Sequence, residues 1–179
     1  MLNQREFSDV TFMVEGKAFY GHKIIISQLS DKFKAMFSAS SNASGVSGGG
    51  FIESKQNSIT IDNITYPIFE QIMSYLYSGH LNLSQFIEDQ IKLKIANIKK
   101  SPADAMGSSY NNSTNNSQTH VNMAVDLLID FLRVSDEYLL EELKNNCQAE
   151  LIKLIDEYTY HTISEMGELY NADRIVDYC

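Results

Sequence analysis

Every second residue from 10 to 14 is strongly apolar, and this alternation predicts a β-strand with one buried face. Gly16-Lys17 follows and suits a two-residue turn, because glycine adopts a positive φ without steric cost. Residues 18–20 are then expected to return as the partner strand. The chain therefore opens with a predicted β-hairpin.

A helical period replaces the alternation after the hairpin. Residues 22–28 are apolar on nearly every side, which predicts a buried helix and not a surface one. Ser30 is expected to cap a second helix, since a serine side chain can accept a hydrogen bond from the first turn. The apolar residues of that helix are spaced three and four apart, as an amphipathic helix requires: Phe33, Met36 and Phe37.

A loop, a strand and a further helix come next. Residues 38–50 are rich in Ser, Gly, Ala and Asn and predict a flexible loop. Residues 58–62 alternate and predict a short strand. Thr65 is expected to cap the following helix, and Gly79 to end it. That helix has a broad apolar face: Phe69, Ile72, Met73, Leu76 and Tyr77.

Residues 84–121 interrupt this pattern. The first part, 84–100, carries isoleucines near one side and can form a helix. The second part, 101–120, is polar and of low complexity, and we expect it to be disordered. We interpret the insert as a loop without a direct function, and an accessory contact made by residues 86–98 is the alternative.

The chain from Met123 onward is predicted to be helical, with a restart at Ser135 or Asp136 and a final helix pair joined near residues 171–173. The helix after the restart has one apolar stripe: Leu139, Leu140, Leu143, Cys147, Leu151 and Leu154. A few short strands and many helices in separate runs predict an α+β fold, with helices packed around a small sheet.

Composition narrows the class of protein. The 179 residues are 44% hydrophobic and 21% charged, which fits one globular domain with a small helical appendage. The net charge of −9 argues against nucleic-acid binding, because phosphate contacts need clustered Lys and Arg. No apolar run has the length of a signal peptide or a membrane span, so we expect a cytoplasmic or nuclear protein without a membrane partner.

The sequence contains no catalytic or metal-binding constellation. Its four histidines have no metal-ligand spacing, and no phosphate loop, dinucleotide fingerprint or nucleophile elbow occurs. The two cysteines, Cys147 and Cys179, form no disulfide framework, and Cys147 is predicted to be buried and reduced. We therefore expect a binding protein without a cofactor and not an enzyme.

Two ordered blocks of the chain resemble the BTB/POZ domain. The first contains Ser8-Asp9-Val10, His22-Lys23 and Met36-Phe37. The second reads FEQIMSYLYSG at residues 69–79 and continues after the insert through residues 135–147, SDEYLLEELKNNC. The resemblance implies a small mixed sheet flanked by a cluster of short helices.

The resemblance also implies a division into domains. A BTB/POZ domain is expected over residues 1–155, with the low-complexity insert at 84–121. Residues 156–179 resemble the paired helices, called the 3-box, that follow the BTB domain in some adaptors and extend their cullin groove.

Within the family, the chain is most similar to cullin-3 substrate adaptors that carry MATH, armadillo or ankyrin domains. Such adaptors contact the N-terminal region of cullin-3 through an apolar–x–Glu triplet in the loop after the Phe-x-x-Met-Phe helix. Phe51-Ile52-Glu53 lies in that loop here, and Met36 and Phe37 end the helix before it. The resemblance implies cullin-3 binding through these residues, and ubiquitination of a substrate protein held by a domain absent from this chain. The loop is longer than in such adaptors.

Self-association is a further expectation from the resemblance, which places Asp9 and His22 at a dimer interface. BTB dimers normally rest on a helix that precedes the first strand, and only residues 1–7 stand there in this sequence. The dimer is therefore expected to be weak or differently built. The alternative function is a module that self-associates without binding cullin-3, as in channel or transcription-factor BTB proteins.

Overall fold

The computed structural model describes residues 2–38, 58–99 and 113–179. The chain divides into two compact units, Met1–Leu81 with Val134–Leu143, and Asn82–Arg133 with Lys144–Cys179. Over the described residues, a three-stranded mixed sheet is accompanied by eight helices, which confirms the predicted α+β class.

The hairpin of the first unit forms as predicted, but its turn lies one residue earlier. Strand β1 (Val10–Val14) pairs antiparallel with β2 (Lys17–Gly21), and Val14 stands opposite Lys17. The two turn residues are therefore Glu15 and Gly16, whose φ angles of 48° and 75° are both positive, as this type of tight hairpin turn requires. The prediction of a Gly16-Lys17 turn is wrong because Glu15 accepts the left-handed conformation.

The core of the first unit lies against one face of the sheet. Strand β3 (Ser58–Ile61) pairs parallel with β1, so the strand order is β2-β1-β3 and β1 is central. Phe12 of β1 is fully buried, and its ring centroid lies 5.6 Å from that of Phe33 and 5.4 Å from that of Phe69. Aromatic pairs at such distances add stabilisation beyond the area that they bury.

Two short helices, α1 (Lys23–Leu29) and α2 (Asp31–Ser38), follow the hairpin. The predicted burial of α1 is wrong, since Ile26 is its one buried residue and Ile24 is 71% exposed. Helix α1 packs against α2 and against the next helix on one side only, and a run of apolar residues does not reveal which side that is. The predicted cap is confirmed, because Ser30 Oγ accepts the N–H of Phe33 at 3.3 Å.

Helix α3 (Tyr66–Ser78) has the predicted ends, although a different side chain caps its start. Thr65 holds the N-cap position without a side-chain hydrogen bond. The carboxylate of Glu15 accepts the N–H of Tyr66 instead, at 3.0 Å. Gly79 ends the helix with a φ of 73° and donates its N–H to the carbonyl of Tyr75. The hairpin turn thus positions α3 as well as the strands.

Helices α5 (Ser113–Glu137) and α6 (Glu141–Ile152) differ from the prediction at their boundaries. Helix α5 begins at Ser113, so the predicted disorder is wrong for residues 113–120, while residues 101–112 lie outside the described part of the chain. The predicted restart at Ser135 or Asp136 is also wrong, since α5 continues to Glu137 and the break falls at Leu139, which has a φ of 55°.

The insert supplies a structural helix to the second unit. Helix α4 (Leu83–Lys99) was predicted from its isoleucine spacing and is present. Ile87 is buried, and the ring of Phe86 meets that of Phe131 on α5 edge-on, with centroids 5.4 Å apart. Interpretation of the insert as a loop therefore missed the core contacts of α4.

A helix pair, α7 (Tyr160–Leu169) and α8 (Asp173–Tyr178), closes the second unit near the predicted junction. A Cβ atom added at Gly167 would lie 2.7 Å from Ile175 Cγ2, so the two helices pack closely. Cys147 on α6 is fully buried, as predicted, and burial raises the pKa of its thiol to about 12.

Candidate protein-interaction surface

The C-terminal end of α2 presents two half-buried apolar side chains, Met36 and Phe37. The ring of Phe37 stacks on that of the fully buried Phe33, with centroids 5.8 Å apart and planes inclined by 18°. Because Phe33 belongs to the core, the stacking fixes the orientation of Phe37. These two residues therefore form a small apolar surface on a rigid base.

The N-terminal end of α2 is tied to the residues between α5 and α6. Ser30 Oγ, which is fully buried, donates to the carbonyl of Tyr138 at 2.7 Å. The rings of Phe33 and Tyr138 lie 4.8 Å apart, and Lys32 Nζ lies 4.3 Å from the Tyr138 ring centroid. Lys32 also pairs with Glu137 at 2.6 Å, but a partly exposed ion pair contributes only about 0–1 kcal/mol. Ring packing and the buried hydrogen bond therefore dominate the anchoring of α2.

Lys23 links the surface of α2 to Asp9, one of the two predicted dimer residues. Its backbone N–H, at the start of α1, donates to Asp9 Oδ1 at 2.7 Å, so the carboxylate satisfies a free N–H of the first helical turn. Its ammonium group lies 5.5 Å from the ring centroid of Phe37. Asp9 is exposed and has an intramolecular role as the cap of α1.

His22, the other predicted dimer residue, is half-buried and bonded to Tyr77 on α3. Both its backbone N–H and its Nδ1 face the Tyr77 hydroxyl, at 2.8 Å and 2.7 Å. The hydroxyl oxygen of Tyr77 accepts the backbone N–H. Burial raises the pKa of Tyr77, as does the nearby charge of Asp9, while the His22 bond opposes this shift. The dimer role of Asp9 and His22 stays a prediction, because the structure contains one chain.

The predicted cullin-binding residues divide into two groups. Met36 and Phe37 lie together on α2, where the sequence motif predicted them. Phe51, Ile52 and Glu53 lie outside the described residues, between the end of α2 at Ser38 and the start of β3 at Ser58. The position of the triplet relative to α2 therefore stays a prediction.

Sequence reasoning missed several exposed apolar residues of the first unit, and the three most exposed are Phe7, Ile24 and Leu139. Phe7 is 94% exposed, Ile24 71% and Leu139 52%. The shortness of the apolar run around Ile24 is the one sequence feature that could have indicated a helix buried on a single face. Nothing in the sequence signalled Leu139, because its exposure results from the positive φ that ends α5.

Two features are absent from the described residues. No group of three or more His, Cys, Asp or Glu side chains in the described ranges could hold a metal ion. Among the described residues no helix combines the length and apolarity that crossing a bilayer requires.

Comparison with known families identifies the chain as a non-enzymatic protein-interaction module. Residues 1–101 match the BTB/POZ domain. The match covers more than half of the chain, which therefore belongs to the BTB/POZ domain family. The predicted family and the predicted absence of enzymatic function are both confirmed by this membership and by the relatives that share it.

The names of similar proteins mention armadillo or ankyrin repeats, as the resemblance predicted. ARM repeat protein interacting with ABF2, from Arabidopsis thaliana, is 29% identical over 171 residues, which are 96% of this chain and 17% of that protein. Armadillo BTB Arabidopsis protein 1 is 27% identical over 178 residues, 99% of this chain and 17% of its own length. BTB/POZ domain and ankyrin repeat-containing protein NOOT2, from Medicago truncatula, is 27% identical over 161 residues, 87% of this chain and 29% of its own length. The chain thus spans less than a third of each of these relatives.

Proposed function

We propose that this chain is the cullin-3-binding module of a ubiquitin-ligase substrate adaptor. The observation that carries the proposal is the pair Met36 and Phe37, held half-exposed at the end of α2, directly before the segment that contains Phe51-Ile52-Glu53. Phe51 on that segment would extend the apolar surface of α2, and Glu53 would give it a polar edge.

The chemistry of such an interface is an apolar contact with a polar edge. Phe51 would fill an apolar groove on the N-terminal region of cullin-3, and Glu53 would accept hydrogen bonds that fix its orientation. Anchoring by Ser30 and Tyr138 holds α2 before a partner arrives, which lowers the entropic cost of binding. Each side chain that binding immobilises costs about 0.5–1.5 kcal/mol, so we expect micromolar affinity.

The rest of the adaptor follows from the same proposal. A BTB domain over residues 1–155 would bind the cullin, and residues 156–179 would extend its groove as a 3-box-like helix pair. A substrate protein would be held by a domain outside these 179 residues. Armadillo and ankyrin repeats in the names of the relatives support this arrangement. The adaptor would work in the cytoplasm or nucleus, without nucleic-acid or membrane partners.

Self-association is the second candidate function, and one observation favours it. Phe7 and Ile24 are highly exposed and lie within two residues of Asp9 and His22 in the sequence. Exposed apolar residues of this size often mark protein interfaces when they are contiguous. A homodimer built on Asp9 and His22 could exist with or without cullin-3 binding. Light scattering on the purified chain measures its mass, and a monomer at all accessible concentrations would contradict self-association.

Calorimetric titration with the N-terminal region of cullin-3 tests the main proposal. Wild type is expected to bind with micromolar affinity, and both Phe51→Ala and Glu53→Lys are expected to lose binding. Leu93→Ala on α4 is the matched control, because Leu93 is 56% exposed and belongs to the other compact unit. Absence of binding heat with the wild-type chain would refute the proposal, and unchanged affinity in both loop variants would refute the role of the triplet.

A further inference from the structure

A polar cavity of about 270 Å³ lies in the second unit, between α5 and the beginning of α7. It is smaller than the roughly 300–1,000 Å³ typical of sites for drug-sized ligands and cofactors, so its size suits one side chain of a partner. Three residues of α5 and three residues at or before the first turn of α7 line it: Asn122, Val125, Asp126, Tyr158, Thr159 and Thr162.

The charge of the cavity comes from Asp126. This carboxylate is exposed and makes no hydrogen bond or ion pair with the residues that the structure describes. Lys94 and Arg133 interact with Asp130, one helical turn further along α5. None of the described residues that line the cavity is basic. The cavity therefore favours a cation over an anion.

The side of the cavity opposite α5 is held in place by hydrogen bonds. Asp156 Oδ1 accepts the backbone N–H groups of Tyr158 and Thr159, both at 2.9 Å. The hydroxyl of Thr159 donates to the carbonyl of Leu154 at 2.6 Å. The N–H groups of Tyr158 and Thr159 lower the pKa of Asp156. The wall that carries Tyr158 is thus held in place before any ligand enters.

Tyr158 completes the cavity with an aromatic ring. Its side chain is 68% exposed while its backbone is fixed by Asp156. A planar cation can stack on such a ring, and a carboxylate at the opposite side can pair with two of its N–H groups. Guanidinium has both the planar shape and the forked donors, whereas an ammonium group has neither.

We propose that this cavity binds an arginine side chain of a partner protein. The guanidinium group pairs with Asp126, stacks on Tyr158 and donates to the hydroxyl of Thr162. The net charge of −9 attracts basic segments towards the chain and so raises the rate of encounter. The site shares no residue with the surface of α2, and the proposal does not depend on cullin-3 binding.

Chemical-shift titration of the full chain tests this site, with N-acetyl-arginine amide as the probe. We expect saturable shifts at the amides of Asp126, Tyr158 and Thr162, with a dissociation constant in the millimolar range that one exposed ion pair and one ring contact support. N-acetyl-lysine amide is expected to bind more weakly, and the neutral N-acetyl-citrulline amide not to saturate. Shifts that do not saturate, or equal binding of the citrulline probe, would overturn the proposal.

Two pairs of variants locate the contact. Asp126→Asn is expected to weaken arginine binding by at least about fivefold, whereas Asp177→Asn, which removes the same charge from α8, is expected to leave it unchanged. Tyr158→Ala should weaken binding and Tyr158→Phe should retain it, because only the first removes the ring. Both positions are exposed, and a melting curve verifies the fold of each variant. Equal effects within either pair would refute the assignment.

Discussion

Ser30 makes two hydrogen bonds that anchor α2, and its replacement by alanine tests that anchoring. The hydroxyl is fully buried, donates to the carbonyl of Tyr138 at 2.7 Å and accepts the N–H of Phe33 at 3.3 Å. Ser30→Ala removes both bonds and changes little else, since alanine occupies almost the same volume. The variant therefore isolates the contribution of one oxygen atom.

The expected loss of stability is the sum of two effects. Removing an N-cap side chain costs about 1 kcal/mol, and removing one intramolecular hydrogen bond costs about 1 kcal/mol. Ser30→Ala should therefore lower the free energy of unfolding by about 2 kcal/mol. For a chain of this length, 1 kcal/mol corresponds to about 2–4 °C, so the melting temperature should fall by about 4–8 °C.

Urea unfolding followed by far-ultraviolet circular dichroism measures this loss. Ser27→Ala is the matched control, because the Ser27 hydroxyl makes a single long bond of 3.3 Å among the described residues, to the carbonyl of Ile24. The control should lose less than about 0.5 kcal/mol. An equal loss in the two variants would show that Ser30 does not anchor α2 in the way described.

Further substitutions and a thiol-labelling experiment test other parts of the fold. Ile87→Ala should lower the free energy of unfolding in urea by about 2–4 kcal/mol, and Leu93→Ala by less than about 0.5 kcal/mol, because only Ile87 is buried. Equal losses in the two variants would contradict the packing of α4. Gly167→Ala should cost about 1–3 kcal/mol by the same assay, since its new methyl group would collide with α8, and a more stable variant would contradict that close approach. At pH 8 a thiol reagent should label Cys179 alone in the native chain and both cysteines in urea, because burial holds the pKa of Cys147 at about 12, and native labelling of both would refute its burial. The raised pKa favours the neutral thiol, so Cys147 stabilises the fold below pH 9.0 and loses this contribution towards about pH 12, which a comparison with Cys147→Ala measures.

Local patterns predicted the parts of the fold that local forces determine. The alternation in β1 and the three-and-four spacing in α2 follow directly from which face is buried. The hairpin turn was displaced by one residue because Glu15 adopts a positive φ. Its carboxylate caps α3, a contact between residues far apart in the sequence.

The remaining errors share a physical cause. Tertiary contacts determine which face of a helix is buried and where the helix begins, and local sequence patterns do not show these contacts. The apolar run of α1 could not reveal that Ile24 faces solvent. The polar residues 113–122 show no helical period, yet α5 includes them. Motif resemblance located Met36 and Phe37. The cavity at Asp126 was not foreseen, because its walls come from two separate segments.

Hydrogen–deuterium exchange of the chain, with and without the N-terminal region of cullin-3, tests the central claim most directly, because it reports binding and its location together. The account predicts slower exchange in α2 and in residues 51–53 when cullin-3 is present, with α4 unchanged. Unchanged exchange in α2 and residues 51–53 at a saturating concentration of cullin-3, or protection confined to α4, would contradict it.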